Sequence, residues 1–176
     1  SHQAVPRARA VRASRSRSRS TPLTSVRVAF VDTYALRGAG ERLQFLTLRR
    51  TKGRNIGSWE TIHGTIESGE RPEQASLREL KEETGLVPEK FYNLSRTEAF
   101  YQHRTNEMVL IPVFAAFVPL TATVRLSEEH DRSEWLSAAD ALKRFAWPRE
   151  RRAVDDILSI VGAGDAGLLE DVLRVS

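Results

Sequence analysis

The sequence predicts a single α/β domain behind an arginine- and serine-rich tail, and three observations lead to that class. Stretches rich in β-branched and aromatic residues alternate with polar positions at several points, as strands do. Between and after them stand amphipathic stretches closed by glycine, the pattern of helices. A chain of 176 residues, 40% hydrophobic and 28% charged, suffices for one sizeable core and is short for two.

The tail explains the charge. The formal net charge of +4 is owed to Arg7, Arg9, Arg12, Arg15, Arg17 and Arg19, which face no acidic residue within positions 1–22. Without them 21 basic side chains meet 23 acidic ones, so the folded part is nearly neutral. Residues 1–22 lack apolar periodicity and are expected to be disordered, leaving 23–176 as the domain. A solvated extension, a weak phosphate- or nucleic-acid-binding arm and an organelle transit peptide all fit the tail. On that basis alone no nucleic-acid partner is expected.

Composition excludes other classes. With no cysteine, disulfides, thiolate zinc sites and cysteine nucleophiles are ruled out, and a reducing cytoplasm is the simplest setting. The longest apolar run, Met108 to Leu120, is shorter than the ~20 residues a membrane helix needs, and it holds Pro112 and Pro119. No membrane partner is expected.

Taken in order, Ser25 to Tyr34 alternates as a first strand. Gly38 to Gly40 turn the chain into a second, Leu43 to Arg50. A polar loop leads to the short strand from Trp59 to Ile62, which delivers His63 and Gly64. Pro72 opens a helix and Gly85 stops it. Two longer strands follow, Phe91 to His103 and Glu107 to Val118, then a short extended piece at Val124 to Leu126 and a strand at Trp135 and Leu136. Ser137 caps a helix to about Phe145, Pro148 opens another to about Val161, and a last amphipathic turn occupies Leu168 to Val175.

The helix after Pro72 carries the chemistry. Glu79, Glu82 and Glu83 stand at i, i+3 and i+4, on one face of one turn, with Leu77, Leu80 and Thr84 opposite and the small Ala75 on the glutamate side. Like charges so spaced cost a few tenths of a kcal/mol per exposed pair. Either the face is solvated, or a hard divalent cation offsets the repulsion.

Across the 23 residues from Gly64 to Leu86, nine positions repeat a defined spacing: Gly64, Glu70, Arg78, Glu79, Leu80, Glu82, Glu83, Gly85 and Leu86. This pattern matches the Nudix box, and the chain resembles the Nudix hydrolases. Trp59, Glu129-His130 with Trp135-Leu136, and Trp147 with Arg151 and Ala153 resemble the dihydroneopterin triphosphate pyrophosphohydrolase branch, the likeness covering roughly 26–160.

The resemblance implies an α/β/α sandwich with a mixed sheet between helices and a Mg²⁺- or Mn²⁺-dependent pyrophosphohydrolase. Its substrate would be a nucleoside or pterin triphosphate, cleaved to a monophosphate and pyrophosphate. By the same resemblance Glu79, Glu82 and Glu83 hold metal, Glu79 being a ligand or the base on water, and Arg78 orients a glutamate. Glu129 is the candidate ligand from outside the box, with Glu128 and Glu107 as alternatives, and Glu70 has a supporting role.

His63 stands where many relatives have glycine; its side chain either contacts substrate or is simply tolerated. With Gly64, Trp59 and Arg50 it makes up the expected substrate-binding set. Arg49, Lys52 and Arg54 are further phosphate candidates, and Tyr101, His103 and Trp147 further ring-stacking ones. Competing readings are a Nudix hydrolase of ADP-ribose, a dinucleoside polyphosphate or an oxidised nucleotide, a non-catalytic nucleotide-binding regulator, and an RNA-end processor. A homodimer is allowed.

Overall fold

The computed structural model of the chain describes residues 22–176, so the expected disorder of the tail lies, but for Pro22, outside the described residues. Among the described residues eight strands form one mixed sheet: β1 (Ser25–Val28), β2 (Phe30–Arg37), β3 (Gln44–Arg50), β4 (Trp59–Glu60), β5 (Ile62–Thr65), β6 (Lys90–Gln102), β7 (Glu107–Phe117) and β8 (His130–Ser137). Strand β7 runs parallel to β1 and β2 along one edge and antiparallel to β6 along the other. Strand β2 pairs antiparallel with β5 and β3, and β3 with β4 and β8.

Side-chain alternation divides the core in two. On β7, Val113, Ala115 and Phe117 face one side, packing with Tyr34, Leu36 and Phe45 against Ala141 of α2 (Ala138–Arg144) and Ala153, Val154 and Ile157 of α3 (Pro148–Val161). Phe114 and Ala116 face the other, joining Val31, Leu46, Leu48 and Ile62 beneath α1 (Pro72–Thr84). A short α4 (Glu170–Leu173) closes the chain. Helices thus cover both faces of the sheet, the α/β/α sandwich expected. Among the described residues no helix is long and apolar enough to cross a membrane.

Three details differ from expectation. On α1 the buried residues are Ala75, Ser76, Leu80, Glu83 and Thr84, while Leu77 is only half-buried. The stripe is therefore rotated toward Glu83, and Ser76 bonds Thr33 of β2 across the sheet at 2.5 Å. Val124 to Leu126 form no strand. They lie along the end of α1, where the amides of Arg125 and Ser127 donate to the carbonyls of Thr84 and Glu83 at 2.8 and 3.1 Å. A helix end leaves its last carbonyls open, and this loop satisfies two of them. Strand β8 begins earlier than Trp135, at His130, since β3 supplies a long pairing edge. Gly85 ends α1 in the left-handed region at φ 71°, as its position suggested.

Candidate active site

Arg78 organises the glutamate face. Its guanidinium donates through Nε and one terminal nitrogen to both oxygens of Glu70 (2.8 and 3.0 Å), and to the Thr65 carbonyl at 2.8 Å. The other terminal nitrogen donates to Glu79 at 2.8 Å and Glu82 at 3.1 Å. One planar fork thus anchors the loop before α1 and aims two carboxylates, a job lysine could not share. Gly64 is dictated by close approach: a Cβ there would lie 2.0 Å from Cγ of Glu79.

The three glutamates differ. Glu82 is 60% exposed and turned to Arg78, Glu79 is 15% exposed, and Glu83 is buried. Burial raises the Glu79 carboxyl, with Glu82 and Glu129 adding to the effect against Arg78. Burial drives Glu83 well above the usual carboxylate range, helped by the negative fields of Glu79, Glu129 and Glu60. Glu129 is exposed, yet it acts on both; Glu128 turns instead to Lys52 at 2.9 Å, and Glu107 faces Arg27 at the start of β7. The loop docked on the end of α1 is what brings Glu129 and His130 beside Glu83.

Behind Glu83 lies a line of buried ionisable groups. His130 Nδ1 faces Glu83 Oε2 at 3.8 Å, and its Nε2 faces Glu60 Oε1 at 3.4 Å; that same oxygen of Glu60 accepts from Arg50 at 2.8 Å. Burial would raise Glu60, but His130 and Arg50 hold it below its usual value. Glu83 Oε2 and His130 Nδ1 are buried without a hydrogen-bond partner among the described residues.

A cavity of about 470 Å³ opens beside this line, between β5, the end of β6 and the start of α3. Arg50, Arg54, Glu60, His63, Phe100, Trp147 and Arg149 are among its walls. His63 donates from Nδ1 to Asp32 Oδ1 at 2.7 Å, and Arg149 Nε donates to Asp32 Oδ2 at 2.8 Å. Burial would raise fully buried Asp32, but these two partners keep it below the usual carboxylate value. Of the expected substrate-binding residues, Arg50 and His63 line the cavity, and Gly64 sits against Glu79. Trp59 lies elsewhere: alternation along β4 sends Glu60 to the cavity and Trp59 to the opposite face, under the Arg144 guanidinium at 4.4 Å. Tyr101 and His103 are not in its lining either, whereas Trp147 and Arg54 are.

Asp32, Glu60, His130 and Arg149 escaped the sequence reading as site residues. Asp32 did leave a signal, a lone acid inside the apolar run from Val28 to Tyr34, since such a residue seldom enters a core unpaired.

The expected metal set of Glu79, Glu82, Glu83 and Glu129 does not converge as a closed cage; among the described residues no three His, Asp or Glu side chains are close enough to hold an ion. Glu82 pairs with Arg78 at 3.1 Å instead. The donor chemistry nevertheless fits a hard divalent ion. Glu79 and Glu83 are both desolvated, and among the described residues the buried Glu83 oxygen has no hydrogen-bond partner.

The frame is thus a mixed sheet between helices, with a carboxylate-bearing helix packed on one face. A family profile described as NUDIX domain matches residues 27–157, and the chain belongs to the Nudix family. It is 37% identical over 134 residues to an octanoyltransferase of Myxococcus xanthus, covering 76% of this chain and 36% of that protein. It is 31% identical over 91 residues to the nucleoside triphosphatase NudI of Escherichia coli, covering 48% of this chain and 64% of NudI. The chain thus spans less than two thirds of the length of either relative. The dihydroneopterin triphosphate pyrophosphohydrolase of E. coli superposes with a TM-score of 0.58 at 23% identity, over 73% of this chain and 94% of that one, a likeness of fold.

Proposed function

We propose that this protein is a divalent-metal-dependent pyrophosphohydrolase that cleaves a nucleoside or pterin triphosphate to a monophosphate and pyrophosphate. The observation that carries the reading is the line that joins the glutamate helix to the cavity: Glu60 lines the cavity and faces His130 at 3.4 Å, and His130 faces Glu83 at 3.8 Å. A substrate can thereby place phosphates at the carboxylates and its ring between Phe100 and Trp147. The 31% identity to a nucleoside triphosphatase favours a triphosphate over other diphosphate-linked nucleotides.

Roles follow from position. Glu79, Glu83 and Glu129 would hold Mg²⁺ or Mn²⁺, with Glu82 as a further carboxylate at the exposed rim. When bound, the cation supplies charge neutralisation at the phosphate oxygens and a more acidic water. Glu79, desolvated yet held by Arg78, is placed to accept the proton of the attacking water. Arg78 fixes that carboxylate in place, and Arg50 and Arg54 face the outer phosphates from the cavity.

The test is a panel of triphosphates, dinucleoside polyphosphates, ADP-ribose and oxidised nucleotides, assayed with Mg²⁺ and with products identified. Pyrophosphate release from a triphosphate is expected. Turnover of only the other compounds would overturn the substrate assignment, and no Mg²⁺-dependent turnover of any would overturn the enzymatic one.

A further inference from the structure

Asp32 is a charged residue inside a core strand, and both of its oxygens are spent on side chains of the cavity wall. His63 comes from β5 and Arg149 from α3, 86 residues later in the chain. An ionised carboxylate can only accept, so His63 Nδ1 carries its proton, and in the neutral ring Nε2 is left as an acceptor. Phe30 covers one face of the imidazole with ring centroids 5.0 Å apart, and the ring remains 26% exposed, toward the cavity. Arg149 spends Nε on Asp32. Its two terminal nitrogens take no protein acceptor among the described residues, and its guanidinium lies 5.2 Å from the Trp147 ring centre. The arrangement is rigid because Glu150, the next residue, accepts from the amides of Thr61 at 2.7 Å and Trp147 at 3.1 Å, tying the start of α3 to the strand that leads into His63.

The wall therefore presents a donor fork and a ring acceptor held on one carboxylate, in a cavity lining that also holds Glu60, Phe100 and Trp147. A phosphate ester accepts, and a neighbouring sugar or polyol hydroxyl donates. Resting on the nucleotide reading above, we propose that Arg149 and His63 form the subsite for the ester phosphate and adjacent hydroxyl of the substrate, and that Asp32 is the positioning residue that aims both.

Binding to the metal-free protein in EDTA tests this without turnover. Titration calorimetry would compare guanosine and adenosine 5′-monophosphates with their nucleosides, and with the 2′,3′-dideoxy monophosphates. In wild type the phosphate should strengthen binding at least about tenfold and the hydroxyls roughly fivefold, as charged and neutral hydrogen bonds do. Arg149→Gln should lose the phosphate increment and keep that of the hydroxyls; His63→Phe should do the reverse. Asp32→Asn should reduce both, and raise KM for the triphosphate more than it lowers kcat. Should Asp32→Asn fail to fold, the two cavity-wall variants decide the matter. Equal affinity of wild type for monophosphate and nucleoside, or unchanged increments in Arg149→Gln and His63→Phe, would overturn the subsite. Intact increments in a protein that hydrolyses no triphosphate would leave the subsite standing and remove the proposed reaction instead.

Discussion

The two walls of the site solve the problem of buried charge in opposite ways. On α1, carboxylates are crowded together, and one arginine, Arg78, serves Glu70, Glu79 and Glu82 while Glu83 keeps an orphaned oxygen. Beside the cavity one carboxylate, Asp32, has both oxygens taken up by His63 and Arg149. An under-compensated wall is built to receive positive charge, and a balanced one is built to hold its own side chains still. Binding a cation should therefore change the first wall and leave the second alone.

The largest expected effect is on the crowded wall. Glu83→Gln keeps the shape and removes a charge, and should lower kcat/KM for the triphosphate by about 10²–10³ in the presence of Mg²⁺, the scale of losing one strong electrostatic contact. Retained activity would detach Glu83 from the reaction. Gly64→Ala forces Cβ into Glu79 and should cost about 1–3 kcal/mol of stability. Thermal unfolding measures that cost, and an unchanged midpoint would mean the loop yields freely. Arg78→Lys should weaken Mn²⁺ affinity roughly 10–100-fold, as loss of an orienting partner does, read by electron paramagnetic resonance of free Mn²⁺.

Stability against pH separates the walls more finely. Glu79 and Glu83 have folded values above the ordinary 4.5, so in EDTA the stability they contribute is fully present below pH 4.5 and is lost as pH rises through the raised values. Mg²⁺ favours their ionised forms and should flatten that decline. Glu150, pushed up to about 8 chiefly by burial, adds a slope of the same sign that Mg²⁺ leaves in place. Identical profiles with and without Mg²⁺ would show that no cation is held at these carboxylates. The smallest effect is expected at Trp59, which lies outside the cavity: Trp59→Phe should leave KM within about twofold, since distant, independent sites rarely couple.

The crowded wall was legible because its residues are contiguous. Helical spacing placed Glu79, Glu82 and Glu83 on one face, and Gly64, Glu70 and Arg78 fell at fixed distances from them within one loop and helix. The balanced wall joins positions 32, 63 and 149, and no local period links three separate elements. Trp59 illustrates the limit: its aromatic character was visible, but alternation in a two-residue strand decided that Glu60, and not Trp59, meets the cavity.

Strand alternation, helix caps and the box are all written in short-range spacing, so the class of fold, the family and the glutamate helix could be read from the chain. Three features have no such local signature: the burial of Glu83 beside an exposed Glu82, the docking of the loop from Arg125 to Glu129 on the end of α1, and the hold of Asp32 on His63 and Arg149. Those outcomes depend on which elements the sheet brings together, and strand pairing is settled by packing across the whole core.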